Sequence, residues 1–245
     1  MSHIQVEAVV EGARRDAFDL LHGADPYAEL SRRGWVVTAP LAAERLPDET
    51  VRLSFEVLPL SARGVGESDD TGQGGANPLH DPGAPVATVV DLVMRPGERP
   101  QRLRRVAAYA LVRSERGILL TELSANVVGA AGQWTLPGGG VDPGEQPRDG
   151  VVREVWEESG QQVVEPRLVD IVTAHWVGRS PAGRLEDFHA VRLVHQAVCP
   201  EPTDPVVHDV GGSTSRAAWF DPAEAAELPL VSMLLEHGRR WFTDH

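Results

Sequence analysis

Lysine is absent from the chain, and all 23 of its basic side chains are arginine. Because 36 acidic residues outnumber them, the formal net charge at pH 7 is −13. A protein that binds a nucleic-acid polymer needs a basic face, so this charge argues against such a partner. An acidic protein that handles a polyphosphate has to recruit cations, and its own phosphate contacts must come from arginine, histidine or backbone groups.

Cysteine and long apolar runs are scarce as well. Cys199 is the only cysteine, so no disulfide can form within the chain. No stretch approaches the roughly 20 apolar residues of a transmembrane helix, and the first residues lack the pattern of a secretory signal. We therefore expect a cytoplasmic protein without a membrane partner.

The first hundred residues differ in pattern from the rest of the chain. Residues 1–100 predict a small α+β domain, in which 61–85 form a mobile loop rich in glycine and proline. This extension is interpreted as a dimerisation element, which would make the protein a homodimer, as a lid over the substrate, or as a merely stabilising segment. Its predicted strands are 3–10, 35–37, 51–57 and 86–94, and its predicted helices are 12–21 and 27–33.

Residues 101–245 predict a second domain, in which short apolar strands are flanked by helices. This pattern favours an α/β fold with a mixed sheet between helices. The predicted strands are 106–112, 118–123, 133–136, 167–177, 188–198 and 217–220, and the predicted helices are 147–159, 221–227 and 230–242.

The most informative stretch runs from Gly139 to Gln161. Residues 142–144, with the sequence Asp-Pro-Gly, are typical of a turn. Pro147 suits the first turn of a helix, and Gly160 suits the position just after its last turn. A loop, a helix and a glycine stop therefore follow one another.

Three glutamates lie on one face of this predicted helix. Glu154, Glu157 and Glu158 have the spacing i, i+3 and i+4, so their carboxylates repel one another in an isolated helix. Mg²⁺ or Mn²⁺ resolves this repulsion, since both prefer oxygen ligands and commonly bind substrate phosphates as well. The alternative is a solvated acidic face, which is the better interpretation when Glu157 and Glu158 are considered alone.

Taken together, these residues resemble the Nudix box, G-x5-E-x7-R-E-U-x-E-E-x-G-U, in which U is apolar. The fixed positions all match: Gly139, Glu145, Arg153, Glu154, Glu157, Glu158 and Gly160. Val155 occupies the first apolar position. Gln161 departs from the last one, and we expect Val163 to take over its packing role. The resemblance covers about residues 102–245 and implies the α/β/α sandwich of the Nudix family.

The resemblance also implies a metal site and a reaction. Arg153 is expected to orient a box glutamate through an ion pair, with Glu145 as its natural partner. The implied reaction is hydrolysis of the diphosphate linkage in a small-molecule nucleotide. The implied metal ligands are the Gly138 carbonyl and the carboxylates of Glu154, Glu157 and Glu158.

A general base and a surface for the nucleobase are less well defined. Either Glu154 or a carboxylate outside the box takes the proton of the attacking water, and Asp209 is the first choice among the latter, ahead of Glu186 and Asp187. The alternative for Asp209 is a solvated loop acid. Candidates for stacking on a base or sugar are Trp134, His175 and Trp176, although buried tryptophan more often belongs to the core.

Two other functions compete with hydrolysis. A Nudix-fold module that senses a nucleotide without turnover is disfavoured by the complete carboxylate set. A Nudix-related isomerase acting on an isoprenoid diphosphate would need a cysteine ahead of the box, whereas Cys199 lies after it. The expected substrate is thus a nucleoside diphosphate derivative, with (d)NTPs favoured.

Overall fold

The computed structural model describes residues 3–62, 88–89, 95, 97–127, 129–180 and 183–243. The helices in these ranges are α1 (Pro26–Arg32), α2 (Pro147–Ser159), α3 (Pro222–Ala226) and α4 (Ser232–Thr243). The strands are β1 (Ile4–Val10), β2 (Ala13–Asp19), β3 (Trp35–Arg45), β4 (Val51–Pro59), β5 (Thr88–Val89), β6 (Gln101–Ser114), β7 (Gly117–Leu123), β8 (Trp134–Thr135), β9 (Gly138–Gly140), β10 (Val164–Arg179), β11 (Leu185–Val198) and β12 (Thr214–Phe220).

The chain divides into two compact units. The first unit comprises residues 1–105 and 173–191, and the second comprises 106–172 and 192–245. Residues 173–191, which the sequence pattern assigns to the C-terminal domain, therefore belong to the first unit. The boundary near residue 100 as the limit of a separately folding domain stays a prediction.

A four-stranded sheet with the order β2-β1-β4-β3 forms much of the first unit. β1 pairs antiparallel with β2 and parallel with β4. Its core side chains include Ile4, Leu53 and Phe55, which are fully buried. The predicted strands at 3–10 and 51–57 and the predicted helix at 27–33 are all present, within two residues of their expected ends.

The helix predicted at 12–21 is wrong, because this segment is β2. Glu11 and Gly12 have positive φ angles of 50° and 75°. Such angles suit a tight two-residue turn that folds β2 back onto β1. Pairing with β1, for example Phe18 with Val6, overrides the helical spacing of the apolar residues.

The strand predicted at 35–37 is longer than expected and extends to Arg45. Pro40 lies within it, which is tolerated because β3 is the edge strand and its register shifts at Pro40. Of the strand predicted at 86–94, only Thr88 and Val89 belong to the described residues, and they form β5. The predicted loop at 61–85 lies outside the described residues apart from the end of a 3-10 turn, Leu60–Ala62.

A larger mixed sheet has the order β12-β7-β6-β11-β10-β5, with β8 added to β7 and β9 added to β6. Ala110 packs in an apolar cluster with Val155 of α2, whereas Leu111 packs in another cluster with Leu234 of α4. Successive strand residues point to opposite faces, so α2 and α4 cover opposite faces of the sheet. The predicted α/β sandwich is confirmed. None of the helices described is long and apolar enough to cross a membrane.

Candidate functional site

The helix that carries the glutamates is α2. Pro147 occupies its first turn, and Gly160 ends it in the left-handed conformation, with φ 68° and an N–H that donates to the Trp156 carbonyl. Val151 and Val155 are fully buried against the sheet. The core therefore fixes the rotation of the helix, and the remaining face is left to the polar side chains.

Arg153 holds the acidic residues of this helix together. Its guanidinium pairs with Glu145 through two hydrogen bonds of 2.8 and 3.0 Å. The Nη1 atom of the same side chain donates to Glu154 and to Glu157, both at 3.0 Å. The hydrogen bond to Glu145 and the nearby charge of Glu154 raise the pKa of Arg153 despite its partial burial. The predicted Glu145–Arg153 ion pair is confirmed.

The glycines before the helix allow a close approach of backbone and carboxylate. A Cβ at Gly139 would lie 2.5 Å from Glu154 Oε1. A Cβ at Gly138 would lie 2.3 Å from the Ala108 carbonyl oxygen, and its φ of 149° is itself unfavourable for other residues. Gly138 therefore passes close to the backbone of β6, whereas a side chain at Gly139 would displace the Glu154 carboxylate.

Glu158 differs from the other two glutamates. It is only 4% exposed, and its carboxylate accepts hydrogen bonds from Gly138 N at 2.9 Å and from Thr214 Oγ1 at 2.6 Å. Ser213 Oγ donates to it at 3.3 Å. Burial outweighs these hydrogen bonds and raises the pKa of Glu158 to about 7. In the described residues the three glutamates do not form one cluster with all ligand oxygens within 4.8 Å.

The loop that contains Asp209 is attached to the end of α2. The backbone N–H groups of His208 and Asp209 donate to the Glu157 carbonyl at 2.7 and 3.0 Å. The His208 ring stacks on Trp156, with centroids 4.4 Å apart and an angle of 16°. Asp209 is exposed, and its backbone is bonded to the end of the helix that carries the glutamates. Its role as the base stays a prediction.

Gln161 replaces an apolar residue of the motif with a hydrogen-bonding one. Its side chain is buried, donates to Thr203 Oγ1 at 3.0 Å and accepts from Thr203 N at 2.9 Å. The thiol of Cys199 lies 3.8 Å from its Oε1. Val163 is buried in the cluster of α2, which confirms that it takes over the packing role.

The stacking candidates lie in different units. Trp134 is 3% exposed in the core of the second unit, where Phe220 packs edge-on against it at 4.8 Å. Trp176 belongs to the first unit and stacks on Phe188 at 4.5 Å. Stacking on a nucleobase stays a prediction for both. His175 also belongs to the first unit, in contact with Asp187.

The donors around α2 fit a hard divalent cation. Gly138, Glu154, Glu157 and Glu158 offer only oxygen ligands, which is the set that Mg²⁺ and Mn²⁺ prefer. A buried carboxylate with a raised pKa, as at Glu158, is stabilised in its charged form by a nearby cation.

Thr214, Ser213 and Trp156, on which His208 stacks, are not identified as site residues from the sequence. The two hydroxyls contact Glu158 across separations of 56 and 55 residues, and no spacing rule connects them with the box. For Trp156, the one available signal is its exposure on a helix that also carries the polar face.

The chain is similar in sequence to several known proteins. Residues 103–241 match the family model described as NUDIX domain. The chain is 31% identical over 130 residues to a nucleoside triphosphatase NudI of Salmonella schwarzengrund, a match that covers 50% of this chain and 86% of that protein. It is 28% identical over 157 residues to the m7GpppN-mRNA hydrolase NUDT17 of Bos taurus, covering 60% of this chain.

The match to the bovine protein spans only 52% of that protein's length. Among solved structures, a MutT protein from Methanosarcina mazei is 26% identical, with a TM-score of 0.43. That match covers 58% of this chain and 96% of the other.

Proposed function

We propose a function from the premise that this chain belongs to the NUDIX family, since residues 103–241 of its 245 match the family model. The proposed reaction is hydrolysis of the diphosphate linkage of a nucleoside diphosphate derivative, dependent on Mg²⁺ or Mn²⁺. The relative named as a nucleoside triphosphatase supports an NTP or dNTP as the substrate.

One observation carries the proposal. Arg153 Nη1 donates a hydrogen bond of 3.0 Å to each of the Glu154 and Glu157 carboxylates. Glu145 accepts a hydrogen bond from Nε of the same guanidinium and fixes its position. Carboxylates held this close together repel one another, and a bound cation would relieve that repulsion. This geometry agrees with the family's proposed metal ligands at the box.

Each residue has a proposed task. Glu154, Glu157, Glu158 and the Gly138 carbonyl would hold the cation, which when bound supplies charge neutralisation of the diphosphate and activation of water. Arg153 positions the carboxylates and does not react. Asp209, or Glu154 as the alternative, accepts the proton of the attacking water. The loop attachment to Glu157 keeps Asp209 close to the helix end.

A turnover assay tests the proposal. The full chain is incubated with NTPs, dNTPs, dinucleoside polyphosphates, nucleotide sugars, ADP-ribose and NADH, with Mg²⁺ or with EDTA. We expect metal-dependent product release from at least one of these nucleotides. Binding without turnover on the whole panel would contradict the proposal and favour the nucleotide-sensing module.

Three expectations about the whole chain also stay proposals. They are a domain boundary near residue 100, a homodimer formed through residues 1–100, and a cytoplasmic location. Light scattering of the purified full chain tests the homodimer, and a monomeric mass at micromolar concentration would contradict it.

A further inference from the structure

Two histidines and an aspartate converge in the first compact unit. His175 Nε2 lies 2.6 Å from Asp187 Oδ1, and His22 Nε2 lies 3.0 Å from the same oxygen. The ligand atoms of these three residues are all within 4.8 Å of one another. No other group of three or more histidine, cysteine, aspartate or glutamate residues in the described ranges meets this condition.

We propose that His22, His175 and Asp187 form a transition-metal site, and that Zn²⁺ is the ion that fits it. Two imidazole nitrogens and one carboxylate are a donor set for Zn²⁺ and related first-row ions, whereas Mg²⁺ prefers oxygen ligands. Three protein ligands leave the fourth tetrahedral position for water. The site shares no residue with the carboxylate set of α2.

The ligand atoms of the three residues are already close together in the absence of the ion. Ligands placed about 2.1 Å from a tetrahedral zinc ion are about 3.4 Å apart. The observed separations from Asp187 Oδ1, 2.6 and 3.0 Å, are shorter because hydrogen bonds join the atoms directly. Each ligand therefore has to move by less than about 1 Å to admit the ion.

Surrounding contacts orient these ligands. Arg102 Nε lies 3.6 Å from Asp187 Oδ2, whereas the two histidines contact Oδ1 of the same carboxylate. Such outer contacts commonly strengthen metal sites.

The backbone near His22 is adapted to the ring of His175. Gly23 has φ +78°, and a Cβ there would lie 2.7 Å from His175 Cε1 and Nδ1. Three residues after His22, Asp25 Oδ2 accepts a 2.7 Å hydrogen bond from Thr173 Oγ1, which is two residues before His175 on β10. The first and second ligands are thereby fixed in relation to each other.

A third histidine borders the cluster without opposing a cation. His189 is fully buried. Its ring centroid lies 5.5 Å from that of His22 and 6.2 Å from that of His175. Arg104 Nε donates to its Nδ1 at 3.3 Å, so this nitrogen carries no proton. The neutral ring of His189 therefore lies beside the proposed ligands without repelling a cation.

A calorimetric titration tests the proposal. EDTA-treated full-length protein receives Zn²⁺ in a buffer with millimolar Mg²⁺, which occupies oxygen-only sites. We expect one Zn²⁺ per chain to bind and the melting temperature to rise with Zn²⁺ concentration. His175→Gln and Asp187→Asn are each expected to weaken Zn²⁺ binding by at least about tenfold to a hundredfold.

Two control variants separate this site from other binding. His3→Gln removes a half-exposed histidine of the same unit that lies outside the cluster, and we expect it to leave Zn²⁺ affinity unchanged. Glu157→Gln alters only the carboxylate set of α2 and should also keep the Zn²⁺ equivalent. Loss of Zn²⁺ in Glu157→Gln with full binding in His175→Gln would overturn the proposal.

A spectroscopic measurement covers the case in which the cluster variants fail to fold. Wild-type protein loaded with Co²⁺ in place of Zn²⁺ is expected to show the visible absorption of a low-coordinate site with nitrogen ligands. The weak spectrum of an octahedral, all-oxygen site would overturn the assignment without any variant.

Discussion

Glu157 and Glu158 are neighbours in the chain, yet their carboxylates have different surroundings. The side chain of Glu157 is 36% exposed and pairs with Arg153, whereas Glu158 is buried beside Thr214. Burial opposes the charge of Glu158 and raises its pKa. The two residues should therefore respond differently when their charge is removed.

Replacement of Glu157 by glutamine is expected to lower metal-dependent turnover at least about a hundredfold while leaving the fold intact. The glutamine oxygen can still accept the hydrogen bond from Arg153, but the anionic ligand is lost. Steady-state kinetics over a Mg²⁺ series and circular dichroism measure the two effects. Glu236→Gln, at an exposed position of α4, is the matched control. Wild-type activity in Glu157→Gln would exclude the assigned metal site.

Replacement of Glu158 by glutamine is expected to stabilise the protein in EDTA at pH 8 and to have little effect at pH 5. The folded-state pKa of about 7 exceeds the unfolded value of 4.5, so the native state binds more protons between them. Stability of the wild type consequently falls as the pH rises through this window. The gain from glutamine reaches at most about 3 kcal/mol above pH 7.

Urea unfolding at both pH values measures this difference. In Glu158→Gln, the new amide can accept from Gly138 N through its oxygen and donate to the Thr214 hydroxyl through its nitrogen, so the packing is retained. Added Mg²⁺ should stabilise the wild type more than Glu158→Gln. An equal stability change at pH 5 and pH 8 would show that burial does not oppose the charge of Glu158.

At the scale of single residues, the sequence predicts what lies within one helix turn or one motif. The resemblance to the Nudix box predicts the Arg153–Glu145 pair and the packing of Val163. The hydroxyl of Thr214 could not be predicted, because it reaches Glu158 only through the pairing of β12 with β7. Contacts between distant strands carry no local signal.

The end of helix α2 depends on Gly160, the residue that follows it. Gly160 ends the helix with φ 68°, and its Cα faces the loop of residues 206–208. A Cβ at this position would lie 3.0 Å from His208 Nε2 and 3.1 Å from the Val206 carbonyl oxygen. A side chain at this position would therefore push against the loop that carries Asp209.

The Gly160→Ala change is expected to destabilise the protein by about 1–2 kcal/mol for the left-handed backbone and by more because the loop must shift. Turnover should fall as well, since this loop carries Asp209. Gly12→Ala is the control, because Gly12 has φ +75° with no atom within 4 Å of the added Cβ. Equal losses of unfolding free energy in the two variants would refute the contact at Gly160.

Element predictions succeeded where the periodic pattern was long or closed by caps, as in α2, β6 and β7. The failure at β2 has a physical cause: the strand has an exposed outer face and only a few apolar residues, so pairing with β1 decides its conformation. The edge position of β3 likewise allowed Pro40 within a strand, which local propensity disfavours.

The division into units shows that the chain is not two consecutive segments. Residues 173–191, which include the end of β10 and the start of β11, belong to the first unit. The residues before and after them belong to the second unit. The sequence indicates a domain boundary only where the composition changes. It therefore predicts a boundary near residue 100 but gives no sign that residues 173–191 belong to the first unit.

Deletion of residues 1–100 is expected to yield a fragment that unfolds at lower temperature than the full chain. Residues 173–191 would lose the rest of their unit, including His22, which is hydrogen-bonded to Asp187. Differential scanning fluorimetry of residues 101–245 measures the change. An unchanged melting temperature would support the boundary near residue 100 as the limit of an independent domain.

The burial of Cys199 has a practical consequence for kinetics. Its thiol is 2% exposed beside Gln161, and burial raises its pKa. Since Cys199 is the only cysteine of the chain, a thiol-specific reagent has one target. This thiol reacts only when the structure around Gln161, just after α2, opens. The rate of modification, followed by mass spectrometry, would measure how often that opening occurs in the intact protein and whether a bound nucleotide slows it.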